Sequence, residues 1–499
     1  MTTGDAGSPV DPTPDPAGWR VLVAGLGVSG RAAAEVLTAR GAHVVTVDAR
    51  ADDADVHDAE GASLDGVQLV VVSPGWRPDH PLLVRAEKAG IPVWGEVELA
   101  WRLRAPRDHG DGAGTPAPWL AVTGTNGKTT TVEMLASILT AAGLDAPAVG
   151  NVGDPVVRAA TEPGHDVLAV ELSSFQLHFT QSLSVLAGAV LNIAPDHLDW
   201  HGSLDAYAAA KGRIYEHAQV ACVYNASDPR TERLVREADV VEGARAVGFT
   251  LGAPAPGQLG LVEDVLVDRA FHLPFDDPAR HGSAAELGTL DDLAHLAGPG
   301  GTVAPHVVAD ALAAAALARA GGVPARAVRD GLRAFRAGGH RIETVATVDD
   351  VAYVDDSKAT NAHAAAASLA SFATGTVVWV AGGLAKGATF DELVERRSDR
   401  LRGVVLIGVD GAPLADALAR HAPEIPVVRV DPGETGTVMT RAVAAARTLA
   451  RPGDTVLLAP ASASMDQFRS YAERGELFAG AARALAPAPG GAAGEGTVA

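Results

Sequence analysis

Short apolar runs alternate with stretches of helical period along most of the 499 residues. The runs at 21–24, 43–47, 67–72, 120–122, 166–170, 376–381, 404–407 and 455–458 read as strands, those at 120–122 and 166–170 as buried ones. Between them, Ala32 to Leu37 and the Met134, Leu135, Ile138, Leu139 set predict helices, as do the alanine-rich stretches Pro305 to Ala320 and Val323 to Phe335. Strands alternating with helices predict an α/β chain with doubly wound, mostly parallel sheets. The chain is too long for one core. A Pro/Gly/Asp-rich stretch, Arg104 to Pro118, reads as a linker, and the Ala/Pro/Gly tail from Ala484 has the composition of a disordered segment. Leu251 to Gly301 is acidic and rich in Gly and Pro, which fits an irregular hairpin region at a sheet edge.

Two of the strand-to-helix junctions carry chemistry. Trp119-Leu-Ala-Val-Thr-Gly-Thr-Asn-Gly-Lys-Thr-Thr-Thr131 passes from a buried strand through small residues into a helix. Such a turn offers backbone N–H groups and a positive helix end to a phosphate, with Lys128 as point charge and the Thr129 hydroxyl as a Mg²⁺ ligand. The general phosphate-loop pattern wants glycine where Val122 stands, so only Gly127-Lys128-Thr129 fits it strictly. The strand and helix on either side make it a nucleoside-triphosphate site. Earlier, Arg20-Val-Leu-Val-Ala-Gly-Leu-Gly-Val-Ser-Gly30 enters a Gly-x-Gly-x-x-Gly turn, and the next strand ends at Asp48. This is a dinucleotide-fold fingerprint, with the acid where a ribose hydroxyl is met. NAD is one reading; any nucleotide diphosphate is another, because the glycines serve a pyrophosphate.

These junctions set the expected plan. A Rossmann-like domain at 18–115 precedes a central P-loop ATPase-like domain with a mostly parallel sheet at 116–338. A second Rossmann-like domain follows at 339–485, and disordered tails occupy 1–17 and 486–499. Composition narrows the role further. A formal net charge of -21 without a basic stripe argues against nucleic-acid binding, so an anionic substrate must be held by local donors. Neither a signal peptide nor an apolar segment of spanning length is present, so membrane insertion is not expected. The single cysteine, Cys222, lies in an apolar run, as a buried thiol in a reducing compartment would.

Other polar clusters sit where strands end. Glu171 follows a strand and suits either a Mg²⁺ ligand or a helix N-terminal acid. Asp196-His197 fits metal or substrate binding, or plain loop polarity. Lys211 on an alanine-rich helix would ordinarily be solvated. Tyr353-Val-Asp-Asp-Ser-Lys-Ala-Thr-Asn361 packs more polar groups into one turn than a simple turn needs, and Gly-Gly-Leu-Ala-Lys-Gly387 is a second phosphate-loop candidate.

Gly124 to Thr129, Glu171, Asn192 to His197, Lys211 and His340-Arg341 together resemble the Mur ligases, ATP-dependent amide-forming enzymes of peptidoglycan synthesis. Glu171 to Leu177, Asp356 to Asn361 and Pro460 to Phe468 narrow the resemblance to members that add D-glutamate to UDP-N-acetylmuramoyl-L-alanine. It covers Val21 to Phe478 in order. The resemblance implies that the first domain holds UDP, with Val28, Ser29, Asp48, Arg50, Ser73, Pro74 and Gly75 around uridine and diphosphate. Asn151 and His197 would reach the substrate nearer its reacting end. Gly124, Thr125, Asn126, Gly127, Lys128, Thr129 and Thr130 would hold ATP, with contacts from His306, Asp310, Arg341 and Asp356. Thr129, Glu171, His197 and a carbamylated Lys211 would serve two Mg²⁺ ions. Lys358, Thr360, Ser464 and Tyr471 would bind or position D-glutamate, and Lys128, His197, Lys211 and Lys358 would form the catalytic set.

By the same resemblance the products are ADP, phosphate and the new amide, formed through an acyl phosphate by a cytoplasmic monomer. Val307 stands where relatives carry Asn, and Leu384-Ala-Lys386 replaces an acid-containing turn. Folylpolyglutamate synthase is the alternative within ATP-dependent ligation, disfavoured by the Gly25 to Gly30 domain. A dehydrogenase would leave Lys128, Glu171 and Asp356 to Asn361 without a role, and a non-catalytic nucleotide sensor would leave the polar turns unused.

Overall fold

The computed structural model describes residues 15–110, 112–297 and 301–485; the expected tails at 1–17 and 486–499 lie outside them except for residues 15–17, where Pro16 O accepts from Trp19 N–H at 2.9 Å. Three sheets organise the chain. The first is wholly parallel, built from β1 (Arg20–Ala24), β2 (His43–Val47), β3 (Leu69–Val72) and β4 (Val93–Gly95) in the order β2-β1-β3-β4. Helices α1 (Val28–Ala39), α2 (Pro81–Lys88) and α3 (Glu96–Arg102) connect and follow these strands. Strand β3 is buried at every position, as the unbroken valine run demands of a strand covered on both faces.

The second sheet has nine strands. Its parallel part contains β5 (Trp119–Thr123), β6 (Ala148–Gly150), β7 (Leu168–Glu171), β8 (Ala187–Val190), β9 (Ala221–Asn225) and β10 (Arg245–Phe249). The acidic Gly/Pro-rich stretch adds β11 (Gln258–Val262), β12 (Val265–Asp268) and β13 (Ala285–Thr289) at one edge, β12 running antiparallel to both neighbours. The expected edge hairpin is therefore present. Helices α4 (Lys128–Ala141), α5 (Val156–Ala160), α6 (Ser174–His178), α7 (Leu198–His201), α8 (Leu204–Gly212) and α9 (Pro229–Glu237) interleave with these strands. The alanine-rich α10 (Pro305–Ala320) and α11 (Ala325–Ala334) follow. These first two sheets belong to one compact unit.

The segment expected to be a linker is instead pinned down. Arg107 N–H donates to Thr115 O at 3.0 Å, Ala105 N–H to Ala160 O at 2.8 Å, and the Arg107 guanidinium to Asp166 O at 3.2 Å. Proline and glycine here make a tight loop closed by one arginine, where composition alone suggested a tether.

The third sheet lies in a second compact unit. Its order is β14 (Glu343–Val348), β15 (Val351–Asp355), β19 (Thr455–Leu458), β16 (Val377–Gly382), β17 (Leu401–Ile407), β18 (Val427–Arg429). Strands β14 and β15 form an antiparallel hairpin whose turn residues Asp349 and Asp350 both have positive φ, and the other pairs are parallel. Helices α12 (Ala362–Ala370), α13 (Asp391–Arg397), α14 (Ala412–His421), α15 (Thr435–Leu449) and α16 (Tyr471–Arg483) complete it. Among the described residues, no helix is long and apolar enough to cross a membrane. Cys222 is buried, and burial pushes its thiol up to about 12, as an inert core thiol requires.

Helix α4, which starts at the phosphate-loop lysine, is clamped from behind by α11. A Cβ at Gly331 would run into the Ile138 backbone, and the Ser137 hydroxyl donates to Gly331 O at 2.7 Å. Gly331→Ala is expected to cost about 1–3 kcal/mol, the usual range for overpacking, in urea unfolding. An unchanged midpoint would show that the two helices separate freely.

Candidate active site

In the first unit, the glycine turn after β5 is built by contacts that exclude larger residues. Gly127 caps α4 at φ 84°, and a Cβ there would run into the Asp310 carboxylate. Gly124 has φ 156°, and a Cβ there would stand 3.0 Å from Leu191 Cβ. Asn192, at the end of β8, clasps the loop from outside. Its side chain accepts from Asn126 N–H at 2.9 Å and donates to Asn126 O at 3.1 Å, while its carbonyl accepts from Thr125 N–H at 3.0 Å.

Two lysines converge on this loop. Lys128 Nζ donates to Gly124 O at 3.0 Å and to Thr125 O at 2.9 Å. Lys211 Nζ, on α8, donates to the same Gly124 O at 2.8 Å and to Thr123 Oγ1 at 3.3 Å. Lys211 is buried, so its alanine-rich helix presents it inward and not to solvent. The ring centroid of Tyr207, one turn earlier, lies 4.7 Å from Lys211 Nζ, and its hydroxyl donates to Thr125 Oγ1 at 3.2 Å. Sequence alone gives Tyr207 no place among the site residues and marks Asn192 only as the first residue of the Asn192 to His197 motif, without a role of its own. The available signals are the i, i+4 spacing of Tyr207 and Lys211 and the strand-end position of Asn192.

Glu171 ends β7 and is buried. It is not the N-terminal acid of α6, whose cap is Ser173 in a reciprocal capping box with Gln176. Glu171 Oε1 accepts from Asn151 Nδ2 at 2.7 Å, whereas Oε2 is buried without a hydrogen-bond partner. An orphaned carboxylate oxygen is costly unless something cationic meets it. That donor set fits Mg²⁺, which takes one or two carboxylates and leaves its other positions to water and phosphate. Among the described residues no group of three or more His, Cys, Asp or Glu side chains forms an all-protein metal cage.

The Gly-x-Gly-x-x-Gly turn opens onto a cavity of about 740 Å³ lined by Val28, Ser29, Asp48, Arg50, Ser73, Pro74 and Gly75. All seven residues assigned to the UDP site from sequence thus share one pocket. Trp76, Arg77, Asp79 and His80 also line it; they follow Ser73-Pro-Gly directly, and that adjacency was the available signal. The turn is close-packed: a Cβ at Gly30 would run into Gly25 O, and Ser73 Oγ donates to that carbonyl at 2.7 Å. Asp48 accepts from Leu26 N–H at 2.8 Å, Arg50 N–H at 2.8 Å and Ala51 N–H at 3.2 Å. The backbone bond from Leu26, followed by that from Arg50, holds its carboxyl below the usual range. Asp48 therefore braces the glycine turn.

In the second unit, the polar turn after β15 is dense with interlocked groups. Asp355 is buried, meets His340 Nδ1 at 2.6 Å and accepts from Ser357 N–H at 2.9 Å. Asp356 accepts from the Ser368 hydroxyl, and burial pushes its carboxyl up to about 7 against the opposing effect of that bond. Lys358 Nζ lies 5.3 Å from the Tyr471 ring centroid, and Lys358 N–H donates to His340 O at 3.3 Å. Thr360 N–H donates to Lys358 O at 2.9 Å. Ser464 is buried in the neighbouring loop. The fully buried Arg474 ties the two loops, donating to Ser357 O at 2.8 Å and to Ser462 O at 3.0 Å. Burial, first, and then the nearby His363 push His306 down to about 4. Asp310 lies one turn along α10 from His306. Non-glycine residues with positive φ include His197, His340, Ile342, Lys386 and Ala461, a concentration of backbone strain in the stretches singled out above. His197 Nε2 lies 3.6 Å from the Asp196 carboxylate. Arg341 lowers the Asp356 carboxyl slightly through its charge.

The Asp356 shift has a stability consequence. Folded, the carboxyl holds its proton up to about pH 7, whereas its ordinary value is 3.8. Between these values unfolding releases a proton, so this group's contribution falls as pH rises from about 4 to about 7. Asp356→Asn is expected to flatten stability against pH across that window, measured by urea unfolding at stepped pH. An unchanged slope would show that Asp356 is ionised in the folded chain.

Comparison with known proteins agrees with this geometry. Residues 122–264 match the Mur ligase middle domain, and residues 340–462 match the Mur ligase, glutamate ligase domain. The UDP-N-acetylmuramoylalanine--D-glutamate ligase of Streptomyces avermitilis is 60% identical, over 94% of this chain and 98% of that protein. The enzyme of the same name from Streptomyces coelicolor is 59% identical, over 94% and 98%. Among solved structures, a UDP-N-acetylmuramate-alanine ligase from Thermotoga maritima superposes with a TM-score of 0.53 at 19% identity, covering 91% of this chain and 98% of that one. That likeness is one of fold. With a near full-length relative at this identity, the chain belongs to the Mur ligase family.

Proposed function

We propose that this chain joins D-glutamate to UDP-N-acetylmuramoyl-L-alanine, converting ATP to ADP and phosphate, in peptidoglycan synthesis. The observation that carries the reading is the presence, in one compact unit, of a pocket at a Gly-x-Gly-x-x-Gly turn and a lysine-bearing triphosphate loop. The near full-length relatives bear the name of this reaction. The dehydrogenase reading leaves Lys128, Glu171 and Asp356 to Asn361 without a role.

The chemistry follows from charge. The substrate carboxylate attacks the γ-phosphate, and Lys128 with the α4 N-terminus offsets the negative charge gathering on the transferring group. Glu171 and Thr129 would hold Mg²⁺, which would supply further charge neutralisation. Lys211, as a carbamate formed from its neutral amine and CO₂ with loss of a proton, would offer a carboxylate toward a second Mg²⁺, and His197 would be a further metal ligand. Asn151, His197 and the pocket residues would orient the muramoyl substrate. His306, Asp310, Arg341 and Asp356 would contact ATP. Lys358, Thr360, Ser464 and Tyr471 would position D-glutamate so that its amine attacks the acyl phosphate and phosphate leaves. The acyl phosphate must be kept from water, so the enzyme works only with the site closed. We place this activity in the cytoplasm, in a monomer.

Phosphate release with Mg·ATP and UDP-N-acetylmuramoyl-L-alanine is expected to require D-glutamate, with L-glutamate and meso-diaminopimelate inactive. Lys128→Ala should lower kcat by at least about 100-fold, the scale of losing a charge aimed at the transition state. Glu171→Gln should raise the Mg²⁺ concentration needed for half-maximal rate. Release independent of the amino acid, or a Glu171→Gln enzyme with unaltered Mg²⁺ dependence, would contradict the reading.

A further inference from the structure

The junction of the first two sheets is sewn by specific contacts. Glu96 Oε1 accepts from Val157 N–H at 2.7 Å, and Glu98 Oε2 accepts from Gln181 N–H at 2.8 Å and Ser182 N–H at 3.0 Å. Both acids sit on α3 and reach into the central part of the chain. In return Phe179, just past α6, is buried in the core of the first sheet. Its carbonyl accepts from Gly95 N–H at 3.3 Å, and a Cβ on Gly95 would stand 3.0 Å from Phe179 Cβ.

Trp200 packs against that same core. Its ring meets Phe175 edge-on at 4.9 Å and His178 at 5.1 Å, both on α6. Its indole Nε1 donates to Trp76 O at 3.3 Å, and Trp76 is a wall of the diphosphate pocket. On the other side His201 lies 4.4 Å from the Trp200 ring and 5.3 Å from Tyr207, whose hydroxyl reaches Thr125 in the phosphate loop. Trp200 thus touches the pocket wall directly and the phosphate loop through two aromatic neighbours.

We propose that Trp200 is a positioning residue that fixes the spacing between the diphosphate pocket and the phosphate loop. The inference rests on the ligase reading. A substrate anchored by its diphosphate at Gly25 to Gly30 must deliver its carboxylate to the γ-phosphate beside Lys128, so an error in spacing enters the reaction geometry directly. A ligand that fills only the pocket is indifferent to that spacing.

The test compares UDP, which occupies the pocket alone, with UDP-N-acetylmuramoyl-L-alanine, which spans both sites. Trp200→Ala is expected to lower kcat/KM for the spanning substrate about 10-fold, mainly through kcat, while UDP affinity by calorimetry and the KM for ATP stay within about twofold. Trp200→Phe keeps the ring packing and loses only the Nε1 donor, so a loss of about threefold is expected. If Trp200→Ala does not fold, Trp200→Phe decides. UDP binding that weakens in step with kcat/KM would mark a merely structural residue and overturn the proposal, as would unaltered kcat/KM in both variants. A wild-type protein that binds UDP without turning over would overturn the ligase reading and this role with it. An active wild type with unaltered variants overturns this role alone.

Discussion

One carbonyl oxygen, that of Gly124, accepts hydrogen bonds from two lysines on different helices. Lys128 opens α4 and Lys211 closes α8, so this oxygen ties the phosphate loop to both. The arrangement demands glycines, because the loop curls at positive φ at Gly124 and Gly127 with neighbours where any side chain would sit. It also demands that α4 be held in place from behind, which the contact at Gly331 does. Lys211 is buried there and Lys128 half-buried, so both side chains are packed against one loop.

The pocket and the phosphate loop solve different problems with the same device. Both use a close-packed strand-to-helix turn with glycines at positive φ, Gly25 in one and Gly127 in the other. In the pocket, Asp48 commits its carboxylate to backbone N–H groups and Ser73 its hydroxyl to Gly25, so these polar side chains hold the turn in shape. In the loop, Asn192 does the corresponding work from β8. The second unit repeats the theme with a buried cation, Arg474, which bridges the loops carrying Ser357 and Ser462. Across all three places, turns and loops are held in shape by side chains whose hydrogen bonds go to the backbone.

Much of this was legible in the chain because local rules and tertiary needs agree. The strands His43–Val47 and Thr455–Leu458 and the helix Pro305–Ala320 have the limits the periodicity gives, and β3 starts at Leu69, two residues inside the expected 67–72. The pocket residues were readable because the glycine turn and the Ser73-Pro-Gly turn both end parallel strands, where open sheets bind ligands. Other features were hidden by their range. Nothing local distinguishes a buried Lys211 from a solvated one on an alanine-rich helix; only its docking against Thr123 and Gly124 does. The Arg104 to Pro118 stretch has a tether's composition, and the bond from Arg107 to Asp166 that pins it spans 59 residues. Asn192 and Tyr207 act on a loop far away in sequence, so their roles needed coordinates.

The central claim is that a substrate carboxylate is activated as an acyl phosphate before the amine attacks. Its most direct test labels the carboxylate of the L-alanyl residue of UDP-N-acetylmuramoyl-L-alanine with ¹⁸O and follows turnover with Mg·ATP and D-glutamate by mass spectrometry. Attack on the γ-phosphate passes a carboxylate oxygen to phosphorus, so the released phosphate should carry one ¹⁸O. Released phosphate without label, alongside normal amide formation, would contradict the account.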